Sequence, residues 1–178
     1  MKNLETASWD NSNIYLNLKD PLIEKDIQTI LEKTAIFESK KAYFSGLITE
    51  VEQNNTKTLF KDLELVKELY RIYLDTNLIF HQIMTFASTS ISVNTGNEEA
   101  KALLNRMSKL SSNYTKIFTP IKMCVLRSPV DFYSAFLDDD RTRELAFTLT
   151  KQRQNNDYLL STNEEMLITG FSLDGINA

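Results

Sequence analysis

The sequence predicts an all-α fold: an antiparallel helical bundle of three long helices followed by two or three short C-terminal helices. Apolar residues recur at intervals of three and four over long stretches, which is typical of helices buried along one face. Glycine and proline are scarce, with 4 and 3 residues respectively, and this favours long helices with short connections. The 178 residues, 42% of them hydrophobic, are enough for one domain with a sizeable core.

The chain is expected to consist of an N-terminal arm, residues 1–19, packed on a single helical domain, residues 20–178. The only tryptophan, Trp9, lies on the arm and is expected to anchor it to the core. The segment Tyr15-Leu16-Asn17-Leu18 alternates weakly between apolar and polar residues, as an extended segment does.

The first long helix is predicted to begin at Asp20-Pro21, because Asp caps helices and Pro is tolerated at their first position. Gly46 is expected to end or bend it. The polar run Glu52-Gln53-Asn54-Asn55 predicts a loop, and Thr56 or Thr58 is the predicted cap of the next helix.

The central helix is predicted to run without a break from Leu59 to Ile91. Two adjacent apolar tracks follow the helical period there, a width that suits a helix contacted on two sides. At ~1.5 Å per residue the helix would be about 50 Å long. No glycine or proline occurs between Gly46 and Gly96, so no interruption is expected. The first track consists of Leu59, Leu63, Val66, Tyr70, Tyr73, Asn77, Phe80, Met84, Ala87 and Ile91.

The third long helix is predicted to follow a stop at Asn94-Thr95-Gly96, with Asn97 as its cap and Glu98-Glu99 in its first turn. Pro120 lies inside its apolar pattern, which predicts a kink near Lys116–Pro120. Ser128-Pro129 is expected to close this helix.

Short helices are predicted at Val130–Leu137, at Leu145–Asn155 and around Glu165–Ile168, with Gly170 ending the last. Ser161 and Glu164 have the spacing of a capping box before that last helix. The acidic run Asp138-Asp139-Asp140 is interpreted as a solvated cap, because it lacks the alternating oxygen ligands, the glycine and the distal Glu of a calcium loop.

The residues for an active site are largely absent from the sequence, and no catalytic, cofactor-binding or metal-ligating residue is predicted. The single histidine, His81, has Leu78 three positions before it and Thr85 four positions after it, so neither a Glu-x-x-His nor a His-Glu-x-x-His motif is present. His81 is therefore expected to be a structural or interhelical residue. The single cysteine, Cys124, excludes an internal disulfide and is predicted to be a small core residue rather than a reactive thiol activated by nearby Arg127.

Charge and hydropathy restrict the partners. The net charge of −4 and the pI of about 5.1 give no basic face, so a nucleic-acid partner is not expected. The N-terminus, Met1-Lys2-Asn3-Leu4-Glu5, lacks the apolar run of a signal peptide, and no stretch is long and apolar enough for a membrane span. The sequence predicts a soluble, cytoplasmic protein with no membrane partner.

The chain as a whole resembles the N-terminal domain of the oligoendopeptidase F family of zinc metallopeptidases. The resemblance begins with Trp9-Asp10, Ile14-Tyr15 and the Asp20-Pro21 helix start, and continues through Phe37, Tyr43 and Gly46 to Tyr73 and Asp75-Thr76. It returns at Tyr158-Leu159-Leu160-Ser161-Thr162-Asn163-Glu164-Glu165, which is similar to the family's Leu-Ser-x-x-x-Glu element. Asn11-Ser12-Asn13 in place of the usual Leu-Ser, and Pro120, depart from the family pattern.

The resemblance implies a non-catalytic helical domain that forms one wall of a substrate cleft and docks on a catalytic domain. In the family that second domain carries the His-Glu-x-x-His zinc helix and a further Glu ligand, so zinc is expected there and no cofactor in this chain. The full-length enzyme would hydrolyse oligopeptides. The sequence ends at Asn177-Ala178, about where the family continues into its catalytic half.

Two alternatives stay open at this level. The chain could be a free-standing helical interaction module that binds a partner helix or peptide in a groove, or an inactive truncated relic of a peptidase. If the domain exists apart from its catalytic half, its docking surface would be exposed and self-association is expected.

Overall fold

The computed structural model describes residues 13–52, 56–154 and Glu164. These residues form helices joined by turns, without a strand, which confirms the predicted all-α class. The helices are α1 (Pro21–Glu52), α2 (Lys57–Lys61), α3 (Leu63–Val93), α4 (Glu98–Arg127), α5 (Val130–Leu137), α6 (Asp140–Arg143) and α7 (Ala146–Gln154). Within these ranges, no helix combines the length and the apolar character that crossing a membrane requires.

The three long helices α1, α3 and α4 pack against one another, as predicted. Phe37 and Phe44 of α1 meet Tyr114 and Cys124 of α4 in the same order along both helices, so α1 and α4 run parallel. The α3 residues run the other way: Phe80 contacts Tyr114, whereas the earlier Tyr70 contacts the later Phe118. The long helices therefore run up, down and up.

An aromatic cluster fills the centre of the bundle where the three helices meet. The ring of Phe118 stacks on Tyr73 with centroids 3.9 Å apart, and lies edge-on to Tyr70 at 4.9 Å. Phe37 approaches Phe118 from α1 at 5.2 Å. Aromatic residues of this size each bury roughly 150–250 Å², so this cluster contributes strongly to the packing of α1, α3 and α4.

The prediction of one unbroken central helix was wrong at its N-terminal end. Asp62 separates α2 from α3, and its φ and ψ of −96° and 8° depart from helical values. Its carboxylate accepts a hydrogen bond from the hydroxyl of Tyr43 on α1, and its amide donates to the carbonyl of Leu59 at 3.1 Å, which tightens the turn. The local sequence contains neither glycine nor proline that would interrupt the helix. The break instead coincides with the contact from Tyr43 of α1.

Gly46 does not end the first helix, because α1 continues to Glu52. The other expectation, a bend at Gly46, stays a prediction. The residues that follow Gly46 explain the continuation. Leu47, Ile48 and Val51 are all buried in the core, and their packing holds the last turns of α1 in place.

The predicted caps at the starts of α1 and α4 are confirmed. The Asp20 carboxylate accepts from the amides of Leu22 and Leu16, both at 2.9 Å, and the Asn97 side chain accepts from the amide of Ala100 at 3.0 Å. The link from Leu16 to Asp20 closes a turn, so the Tyr15–Leu18 segment is a series of turns rather than the extended segment expected from its alternation.

Thr56 occupies the cap position of α2, but its side chain makes no capping hydrogen bond. Pro120 is buried within a continuous α4, and the kink expected there stays a prediction. The helix α5 has the predicted bounds, and α7 begins one residue after the predicted Leu145, while its predicted end at Asn155 lies outside the described residues. Trp9, residues 53–55, the Ser161 cap and the helix expected at 165–168 lie outside the described residues.

Candidate functional site

The two side chains with the most reactive chemistry lie in different environments. His81 is exposed on the surface of α3, so of the two roles expected for it, structural or interhelical, the interhelical one is wrong. Cys124 is fully buried, and its thiol lies 3.6 Å from the carbonyl oxygen of Phe44. Burial, and to a lesser extent the charge of Asp62, raises the pKa of Cys124 to about 12. A thiol of this kind stays protonated and is a poor nucleophile, which agrees with its predicted role in the core.

Each carboxylate of the acidic run 138–140 lies near an arginine side chain. Asp139 forms an ion pair with Arg71 of α3. Arg143 lies 3.4 Å from Asp140 and 3.8 Å from Asp138. Across the described ranges, no group of three or more His, Cys, Asp or Glu side chains is arranged to hold a metal ion. These residues do not fit a zinc ion, which needs three or four such ligands in a tetrahedral arrangement.

An open groove of about 490 Å³ lies between α1 and α4, and we call it the α1–α4 groove. Its surface is mixed: Ile117 at its base is buried, Leu31 is 41% exposed, and Lys41 forms an ion pair with Glu38 at 3.6 Å. An apolar floor with a charged edge is the kind of surface on which a helix or peptide can dock. The groove is lined by Leu31, Thr34, Ala35, Glu38, Lys41, Asn113, Lys116 and Ile117.

A second depression, of about 380 Å³, lies beside the N-terminus of α1. Its polar groups are already satisfied. Glu24 pairs with Arg106 at 2.5 and 3.0 Å, and this hydrogen bonding lowers the pKa of the Glu24 carboxyl. The amides of Leu16 and Leu22 lower the pKa of Asp20 in the same region. Because these charges are compensated internally, the depression offers little for a polar ligand.

The most elaborate polar contact in the described part of the chain lies at the corner between α4 and α5. The Arg153 guanidinium of α7 donates to the carbonyl oxygens of Val125, Leu126 and Ser128 at 3.3, 3.0 and 2.5 Å. It also lies over the ring of Tyr133, 4.7 Å from the centroid. The sequence did not predict this contact, because an arginine in the last turn of a helix is expected to complement that helix's own C-terminus.

No protein-family model, curated protein or solved structure matches this chain. The likeness to oligoendopeptidase F therefore depends on the residues quoted in the sequence analysis.

Proposed function

We propose that the chain is the non-catalytic N-terminal helical domain of an oligoendopeptidase-F-like zinc metalloendopeptidase and forms one wall of its peptide-binding cleft. The observation that carries the proposal is the ordered resemblance of the sequence, from Trp9-Asp10 through Asp20-Pro21 to the Leu160–Glu165 element. The tightly packed aromatic centre of the bundle supports a role as a rigid wall, since close-packed interiors resist deformation.

In this proposal the bond-breaking chemistry belongs to another part of the enzyme. Zinc hydrolysis requires typically three protein ligands and a polarised water. In the described ranges the thiol of Cys124 is buried and His81 is exposed on another helix. The partners of this domain are then the catalytic domain of the same enzyme and its oligopeptide substrate. The proposed location is the cytoplasm, where a lone reduced cysteine is stable.

A zinc titration of the purified chain, with a quenched fluorescent oligopeptide as substrate, tests whether the bond-breaking chemistry lies outside this chain. We expect no metal-dependent hydrolysis by the chain alone. Turnover that depends on added zinc and disappears with a chelator would contradict the proposal. A His81→Ala variant is the matched control, because it removes the only imidazole from an exposed position.

The coding sequence downstream of Ala178 provides a second test. An in-frame His-Glu-x-x-His segment with a later Glu is expected. A stop codon directly after Ala178 would instead favour a free-standing helical interaction module or an inactive relic of a peptidase.

The α1–α4 groove is the specific observation that favours the interaction module as the second candidate. Its apolar floor and charged edge suit a helix or peptide, including a segment of a second copy if the isolated domain self-associates. Light scattering over a range of concentrations measures this. We expect Ala35→Arg, inside the groove, to reduce self-association, and Ala42→Arg, exposed on α1 but outside the groove, to leave it unchanged.

A further inference from the structure

Within the described residues, α7 is attached to the rest of the protein by two polar contacts and one buried apolar side chain. Arg153 reaches the end of α4, and the hydroxyls of Thr150 and Tyr133 lie 2.9 Å apart. Only Leu149 of α7 is buried, whereas Phe147 is 75% exposed. Burial of apolar side chains in α7 is therefore confined mainly to Leu149, whereas each long helix buries at least eight residues.

The long helices have the opposite character. The buried residues of α1, α3 and α4 form one continuous apolar core. Regions with few buried apolar contacts open at a lower free energy than the core of the same protein. The structure thus combines a bundle that is stabilised by its core with a helix, α7, that is attached through Leu149, the Thr150–Tyr133 contact and Arg153.

The charge of Arg153 explains how this side chain can hold α7 against the end of α4. The carbonyls at the C-terminus of α4 carry the negative end of its dipole. That of Val125 also accepts from the amide and the hydroxyl of Ser128, at 3.4 and 2.7 Å, so Arg153 adds donors to a helix end that is already partly capped. The guanidinium places several donors against them in one plane, a geometry that a lysine cannot reproduce. Burial lowers the pKa of Arg153, while the nearby Tyr133 acts in the opposite direction. No acidic side chain within residues 13–52 and 56–154 forms an ion pair with it, so the carbonyl oxygens and the ring are its principal partners.

We propose that α7 is a releasable strap, locked onto the α4–α5 corner by Arg153, which detaches and unfolds as a unit while α1, α3 and α4 stay folded. Its release uncovers Tyr133, now 8% exposed, and the carbonyl groups at the end of α4. The inference does not depend on the peptidase assignment.

Hydrogen exchange of the full chain, read by mass spectrometry, tests the strap. In the wild-type protein we expect amides of 146–154 to be at least about 100-fold less protected than those at the centre of α4, as for a sub-global opening. Arg153→Gln should speed exchange in 146–154 by about tenfold or more and leave the centre of α4 within about twofold of the wild type, because charged hydrogen bonds are the strong ones.

Two variants serve as comparisons. Lys151→Gln removes a charge from an exposed position on the same helix and should leave the exchange of α7 unchanged. Arg153→Lys keeps the charge but loses the planar fork, and should give an intermediate rate. Equal protection of α7 and α4 in the wild type would overturn the proposal, because it would mean that they open together. So would an Arg153→Gln variant that exchanges like the wild type, or one that loses protection equally in every helix.

Discussion

Replacement of Gly46 by alanine is expected to stabilise the protein. Gly46 lies inside α1, six positions before its last residue Glu52, on the exposed face. A Cβ atom built there meets no atom within 4 Å, and the backbone conformation is one that alanine adopts freely. The substitution therefore has no steric cost and removes the entropic penalty of a helical glycine. We expect the free energy of unfolding to rise by about 0.5–1 kcal/mol.

Urea unfolding followed by circular dichroism measures the effect. A gain of this size raises the melting temperature by roughly 1–4 °C in a chain of this length. The matched control is Ala42→Gly, an exposed position one turn earlier in α1, which should lower stability by about 0.5–1 kcal/mol. The double variant should return close to the wild type, because neither site shares a buried contact with the other.

One pattern of results would refute this reasoning. If Gly46→Ala lowers stability while Ala42→Gly also lowers it, alanine is not tolerated at position 46. The glycine would then be needed for a close approach to its exposed face, and the interpretation of that face as open would be wrong.

The remaining predictions concern the core, the thiol and the first cap. Tyr70→Phe should raise the free energy of unfolding by about 1 kcal/mol, measured by urea titration, because the buried Tyr70 hydroxyl has no hydrogen-bond partner among the described residues. Phe118→Ala should lower it by about 3–5 kcal/mol, whereas Phe147→Ala, 75% exposed, should change it by less than about 0.5 kcal/mol; similar losses in both would contradict the packing argument. Cys124 should react with an aromatic disulfide reagent only at the rate of unfolding, since its thiol is buried and its pKa is raised to about 12; rapid labelling of folded protein would be inconsistent with this. Asp20 has a lowered pKa, so its contribution to stability is present above pH ~4 and is lost as the pH falls through its folded-state value; Asp20→Ala should flatten the acid side of the stability profile.

Local chemistry in the sequence was sufficient for much of the fold. The three-and-four spacing of apolar residues predicted the long helices, because burial of one face is what stabilises them. The caps at Asp20 and Asn97 were predictable because a capping side chain bonds to amides only two or three residues away. The bounds of α5 were predictable for another reason, because Pro129 cannot continue α4 and the apolar pattern resumes after it.

Composition showed that few reactive side chains are available for a candidate site. It could not show which grooves and side chains the folded protein exposes. One histidine and one cysteine were enough to exclude the common zinc motifs from the sequence. The α1–α4 groove joins residues that are far apart in the chain, such as Leu31 and Asn113. The exposure of His81 depends on which faces of α3 the neighbouring helices cover, and the periodicity of α3 alone did not reveal it.

Interactions between distant residues decided the rest. The sequence by itself determined that the chain is helical, where most helices begin, and that few reactive side chains are available. Only the tertiary structure showed that Asp62 interrupts the central helix, where it contacts Tyr43, and that α1 continues past Gly46, where Val51 and its neighbours are buried in the core. It also joined Arg153 to the end of α4. The physical reason is the same in each case: the groups that compete for these backbone positions come from other helices, and their proximity exists only after the bundle has packed.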